Sequence, residues 1–237
     1  MEKNQITFWD HLEELRGSLV KCLYIFFIGF IAAYFLSDWI LDFLKKPLFD
    51  HLPADKRQLY YTNLFENFLV HLRVSAFTSI TFLFPVYFAI VWRFVSPGLH
   101  SHEKKHVLPY VFAAAVFFLL GSGFAYFFLF PIGVKYFLSY GSASEVPWLT
   151  LESYVSTILK ILFGFGFCFE FPVAIVLAVK TGLISAEKLA EQRRYVIIII
   201  AVVSALIAPP DAISMLLLMG PLYLLFEGAL VFARKTR

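Results

Sequence analysis

The chain of 237 residues is 60% apolar and only 16% charged, with 29 phenylalanines and a formal net charge of +3. A water-soluble domain is about 45–50% apolar and about 25% charged. So much hydrophobic surface cannot be hidden in a soluble fold of this size, and an integral membrane protein is indicated.

The first eighteen residues carry Glu2, Asp10, Glu13 and Glu14, the wrong sign for the n-region of a cleavable signal peptide, so the mature chain is expected to begin near Met1. Ile6 to Leu19 reads as an amphipathic helix at the membrane interface. Trp9, Leu12, Leu15 and Leu19 recur at helical spacing, with Asp10, Glu13, Glu14 and Gly17 on the other side. Thr7 and Asp10 form an N-cap pair. The first span is placed at Leu19 to Leu36, with Lys21 snorkelling at its edge. Ser37 to Asn67 is a long polar connection broken by Pro47 and Pro53. Its Trp39-Ile40-Leu41 and Leu48-Phe49 pieces suggest a short surface helix.

The second span, Phe68 to Trp92, contains Pro85. Residues 93–106 then form a first loop that packs Arg93, Lys104, Lys105, Glu103, three histidines and a Pro97-Gly98 turn between two apolar runs. The third span, Val107 to Phe130, is expected to end at Pro131-Ile132-Gly133, and a polar connection follows from Gly133 to Ser153. The fourth span, Tyr154 to Val179, contains Gly164, Gly166, Glu170 and Pro172. Residues 180–194 make a second charged loop. The fifth span, Tyr195 to Ala208, is followed by a tight Pro209-Pro210-Asp211 turn. A sixth runs from Ala212 to Phe226, where Glu227 interrupts it before apolar residues resume to Ala233. About 14 residues at 1.5 Å each reach about 21 Å, short of a hydrocarbon core of about 30 Å. The fifth helix therefore implies a locally thinned bilayer or shielding by longer helices.

The chain thus reads as one all-α transmembrane domain over 1–237, six helices with a short fifth and sixth, preceded by the amphipathic helix within 1–18. An even count puts both termini on one side. With that side cytoplasmic, thirteen of the twenty lysines and arginines lie inside, as the positive-inside rule requires. The loops 93–106 and 180–194 are then cytoplasmic.

Glu170 is the costliest residue to bury. It lies ten residues before Lys180, about 15 Å into the membrane by helix rise. An ionised carboxylate at mid-depth costs at least about 2.5–3.5 kcal/mol, so it is either protonated or faces a wet cavity. A neutral packing carboxyl is the plainer alternative; intramembrane acids are more often functional. Gly166, four residues earlier, would admit a close neighbour or water on the same face. Glu227 is expected near the cytoplasmic interface. His11, His100, His102 and His106 match no closed metal site. No cysteine forms a disulfide or zinc motif: Cys22 and Cys168 both fall in apolar runs and are read as packing residues. No phosphate loop, nucleophile elbow or zinc-protease motif is present, and neither a cofactor nor a nucleic-acid partner is implied.

His11-Leu12-Glu13-Glu14-Leu15-Arg16 resembles the opening of the TatC family, the multi-spanning subunit of the twin-arginine protein translocase. Trp92-Arg93-Phe94, Pro97-Gly98-Leu99, His102-Glu103-Lys104, Phe124-Ala125-Tyr126-Phe127, Phe169-Glu170-Phe171-Pro172 and Pro209-Pro210-Asp211 continue the resemblance in family order over essentially the whole chain. What it implies is a non-enzymatic receptor for signal peptides of folded cargo, driven by the proton-motive force in the cytoplasmic (inner) membrane. Glu14 and Glu103 would bind the two arginines, with Arg16, Phe94 and Pro97 on the same surface. Glu170 would line a concave face for the signal peptide or for single-span TatA/TatB-type partners. Pro47, Pro209, Pro210 and Asp211 would serve as structural turns, and self-association is implied. The physics is compatible: a carboxylate takes a planar guanidinium through two parallel hydrogen bonds that lysine cannot reproduce. Ser18, Ala208 and Met215 depart from the family pattern, as does the stretch Thr62 to Asn67 around Glu66, where a proline is common. The alternative is a proton-coupled secondary transporter or channel with Glu170 as relay, against which the two halves show no self-similarity. An intramembrane enzyme lacks a nucleophile–base pair.

Overall fold

The structure, a computed structural model, describes residues 8–95, 107–140, 148–180, 182–207 and 212–235. Those residues are almost entirely helical, and the only strand-like pairing among them is an isolated bridge between Tyr60 and Thr150. The chain order is α1 (Phe8–Phe35), α2 (Ser37–Phe49), α3 (Glu66–Phe82), α4 (Phe84–Val95), α5 (Val107–Phe124), a π-helical turn (Ala125–Leu129), α6 (Phe130–Tyr140), α7 (Leu151–Cys168), α8 (Glu170–Lys180), α9 (Ala186–Glu191), α10 (Arg193–Ile207) and α11 (Ala212–Lys235). Four helical stretches are long and apolar enough to cross a membrane, or five when the bent pair α3–α4 is taken as one. α10, with 15 residues, falls short of that length.

Several boundaries differ from the sequence reading, each for a local reason. The amphipathic segment and the first span are one continuous helix, α1, because nothing between Glu13 and Lys21 breaks it and Gly17 costs only about 1 kcal/mol. The second span is bent by 58° at Leu83. Pro85 has no N–H and its ring crowds the carbonyl of Thr81, so the chain stops and restarts with the proline in the first turn of α4. Pro131 does not end the third span. The π-helical turn just before it accommodates the ring, and helix continues from Pro109 to Ser139. The fourth span is interrupted at Phe169, three residues before Pro172. The sixth helix is not short: α11 runs 24 residues straight through Glu227. Pro47 makes no turn either; it lies inside the last turns of α2 and is buried.

Two polar contacts set the register of α1 and the start of α2 against α3. Ser79 Oγ donates to the carbonyl of Phe26 at 3.0 Å, and His71 Nδ1 lies 2.9 Å from Ser37 Oγ. Gly29 lets the two helices close, since a Cβ there would meet Ser79 and Leu83. α5 and α7 approach equally closely. Gly121 sits against the carbonyl of Phe165, Gly166 against Phe118, and Ser122 Oγ donates to the Leu162 carbonyl at 3.1 Å. The core lies where α3, α5, the π-helical turn and α7 meet beneath α2, around Leu44, Val74, Tyr126, Ile158 and Phe165. α1 stands outside this core. Leu19, Leu23 and Phe27 are exposed on it, an arrangement that suits a lipid-facing wall.

Candidate functional site

Glu14 and Arg16 stand exposed on the early turns of α1, and Phe94 is half-buried in the last turn of α4. α1 and the α3–α4 pair run antiparallel, with Ser37 opposite His71 and Gly29 opposite Ser79. Followed away from Ser37 and His71, both run toward the other end of the bundle, with the bend at Leu83 swinging α4 relative to α1. Glu14 and Phe94 therefore lie at the end of the bundle where α4 finishes and α5 begins. Pro97 and Glu103 fall between α4 and α5, outside the described residues, as do Pro209, Pro210 and Asp211.

Glu170 opens α8. It is half-buried, and its Oε1 is buried without a hydrogen-bond partner among the described residues. Gly166 does not open space beside it. That glycine is filled by the ring of Phe118 and the hydroxyl of Ser122 from α5, and the break at Phe169 separates the two positions. Glu227 is engaged instead of orphaned. Arg193 at the start of α10 reaches it through Nε at 2.8 Å and Nη2 at 2.9 Å, and Tyr223 Oη donates to it at 2.8 Å. This fork is the geometry in which guanidinium and carboxylate bind best. It explains why a charge in mid-helix does not interrupt α11. The described residues contain no group of three or more metal-ligating side chains.

At the opposite end, sequence reasoning missed a polar knot. Glu66 is 3% exposed, and its carboxylate accepts from Thr62 N at 2.6 Å, Thr62 Oγ1 at 2.9 Å, Asn63 N at 3.3 Å and Glu152 N at 3.1 Å. Arg73 adds an ion pair to Glu152 at 2.7 Å and a bond to Ser156 Oγ at 3.0 Å. Tyr126 and Tyr154 each donate to a carbonyl of α2, on Phe43 and Leu44, at 2.6 Å. The tyrosines had one legible signal. Pro47 has no N–H to give the carbonyl four residues back, so Phe43 must find another donor. The contact of Glu66 with Glu152 had none, because it joins residues 86 apart.

A family model described as "TatC: Sec-independent protein translocase protein (TatC)" matches residues 10–221. The chain is 37% identical over 238 residues to a Sec-independent protein translocase protein TatC of Desulforapulum autotrophicum, covering 99% of this chain and 88% of that protein. It is 35% identical over 225 residues to the protein of the same name from Magnetococcus marinus, covering 95% and 83%. Among solved structures, it is similar to the crystal structure of a twin arginine translocase receptor, TatC. The TM-score is 0.83 at 32% identity, covering 96% of this chain and 100% of that one.

Proposed function

Because the chain belongs to the TatC family of Sec-independent protein translocase proteins, it is a translocase component in a membrane and not an enzyme, and we propose that it is the subunit that receives twin-arginine signal peptides. In this reading it crosses the cytoplasmic (inner) membrane six times, with both termini cytoplasmic. The short α10 is the fifth crossing, set in a thinned patch of bilayer. Glu14 and Glu103 take one guanidinium each, Phe94 covers the pair and limits water, and Arg16 and Pro97 complete the surface. Single-span subunits of the TatA and TatB kind pack against the membrane face near Glu170, and the proton-motive force drives export of the folded cargo.

The observation that carries the reading is that α1, bearing Glu14 in its early turns, runs antiparallel to the α3–α4 pair that ends at Phe94, with Glu103 following α4 in the sequence. A carboxylate takes a guanidinium through two parallel hydrogen bonds, so a pair of acids suits a pair of arginines, whereas lysines lack the planar fork. The similar solved structure is itself described as a twin arginine translocase receptor, which supports the same role.

The test is retention of a twin-arginine signal peptide by the purified protein, against a twin-lysine control. Wild type retains the arginine peptide preferentially, and Glu14→Ala and Glu103→Ala each lose most of that preference while the protein stays folded. Retention unchanged in both variants overturns the proposal.

A further inference from the structure

α5, α8 and α11 enclose an apolar groove of about 750 Å³, lined among others by Tyr110, Phe124, Phe169, Val176, Gly228 and Phe232. Its outer wall is open. Leu224 and Phe232, both lining it, are 72% and 56% exposed. The rings of Phe124 and Phe169, 5.8 Å apart, mark one end. The other end is marked by Lys180, whose Nζ lies 5.9 Å from the centre of the Tyr110 ring. From Phe169 to Lys180 the groove follows α8 for about 16 Å of helix rise. That is half of a hydrocarbon core of about 30 Å, the depth of a single leaflet.

The two ends differ in charge. Lys180 is the charged lining residue, and Lys235, three residues after Phe232 on the same face of α11, adds a second cation at this end. The acid on α11 at this end, Glu227, is held in the fork of Arg193 and does not line the groove; neither do Glu187 and Glu191 of α9. A spanning partner helix is 10–12 Å across and needs a face of about 30 Å, twice the length available. An acyl chain of one leaflet fits the length, and an anionic headgroup fits the rim.

We propose that this groove holds an acyl chain of an anionic glycerophospholipid, its phosphate lying at Lys180 and Lys235. The site fixes one lipid of the leaflet at the α11 C-terminal end, and it does not depend on the receptor reading. Gly228 provides a clean probe, because a Cβ added there meets nothing within 4 Å, so a side chain enters the groove without disturbing the helices.

The experiment is native mass spectrometry of the full chain, offered equal phosphatidylglycerol and phosphatidylcholine of matched acyl composition. Wild type keeps phosphatidylglycerol over phosphatidylcholine by about tenfold or more. Lys180→Gln with Lys235→Gln brings that preference to near parity. Gly228→Phe abolishes retention of both lipids at an unchanged thermal midpoint. Equal retention of the two lipids by wild type, or a preference untouched by the paired substitutions, overturns the proposal. So does a photoreactive residue at Phe232 that labels a protein, a second copy or a single-span helix, in native membranes instead of lipid.

Discussion

The carboxylate of Glu66 accepts the backbone N–H of Glu152 at 3.1 Å, so the first residue of α3 caps the first turn of α7. The other carboxylate oxygen gathers the amides of Thr62 and Asn63 and the Thr62 hydroxyl. A negative group at a helix N-terminus is favourable for both the free N–H groups and the helix dipole. A proline at Thr62 or Asn63 would remove one of these donors. The bridge between Tyr60 and Thr150, closed by N···O distances of 3.0 and 2.8 Å, and the Tyr60–Trp148 stack at 4.1 Å hold the same two segments together.

Glu66→Gln turns one accepting oxygen into an NH₂ group that faces another donor, so one set of contacts is lost. The thermal midpoint in detergent falls by roughly 3–6 °C, given the cost of leaving buried donors unmet. Arg73→Gln serves as the contrast. Arg73 and Glu152 are each nearly half exposed, and such a pair contributes only about 0.2–1 kcal/mol. A larger loss for Arg73→Gln than for Glu66→Gln would show that the ion pair, not the cap, joins α3 to α7.

Tyr126 and Pro47 form a second testable pair. The carbonyl of Phe43 would ordinarily bond the N–H of residue 47, which proline lacks, and the Tyr126 hydroxyl takes that place at 2.6 Å with its ring stacked on Phe43 at 4.4 Å. Tyr126→Phe leaves the carbonyl unmet and costs about 1–3 kcal/mol. In a Pro47→Ala background the backbone N–H is restored, and Tyr126→Phe becomes nearly neutral. Equal losses in the two backgrounds, measured by thermal or denaturant unfolding, would rule out this compensation.

The helical class and the apolar runs were legible because hydropathy reports burial in lipid directly, residue by residue. Prolines are less legible, because what compensates for them lies elsewhere in the chain. Pro131 was expected to end a helix and Pro47 to make a turn, yet a π-helical turn absorbs the first and a tyrosine hydroxyl from α5's continuation meets the carbonyl freed by the second. Glu227 was expected to interrupt its helix, but Arg193, 34 residues away, satisfies it. What stays hidden in a single sequence is the partner supplied by another helix. Of the candidate signal-peptide residues, Glu14, Arg16 and Phe94 have a described place at one end of the bundle; their motifs were visible only as a family pattern, since exposed charges carry no periodic signal.

Gly121 and Gly123 lie on the same helix and separate two effects. A Cβ at Gly121 would stand 2.5 Å from the backbone carbonyl of Phe165, whereas one at Gly123 meets nothing within 4 Å. Gly121→Ala must push α5 from α7 and costs about 1–3 kcal/mol, the usual range for overpacking. Gly123→Ala gains up to about 1 kcal/mol of helix propensity. Similar midpoints for the two variants would mean that α5 and α7 are not packed at this closeness.

Glu170 distinguishes a receptor from a conductor of protons. Its buried Oε1 has no hydrogen-bond partner among the described residues, and Gly166 beside it is filled by α5 side chains. A relay needs a chain of groups that can pass a proton on, and a single acid at mid-depth supplies one step only. The receptor reading therefore expects the purified protein, alone in liposomes under an imposed pH gradient, to give no flux above protein-free vesicles. Glu170→Gln, of the same shape and able to hydrogen-bond, then keeps the protein folded and leaves that baseline unchanged. A flux present in wild type and lost in Glu170→Gln would establish the transporter reading and displace the receptor as the primary activity.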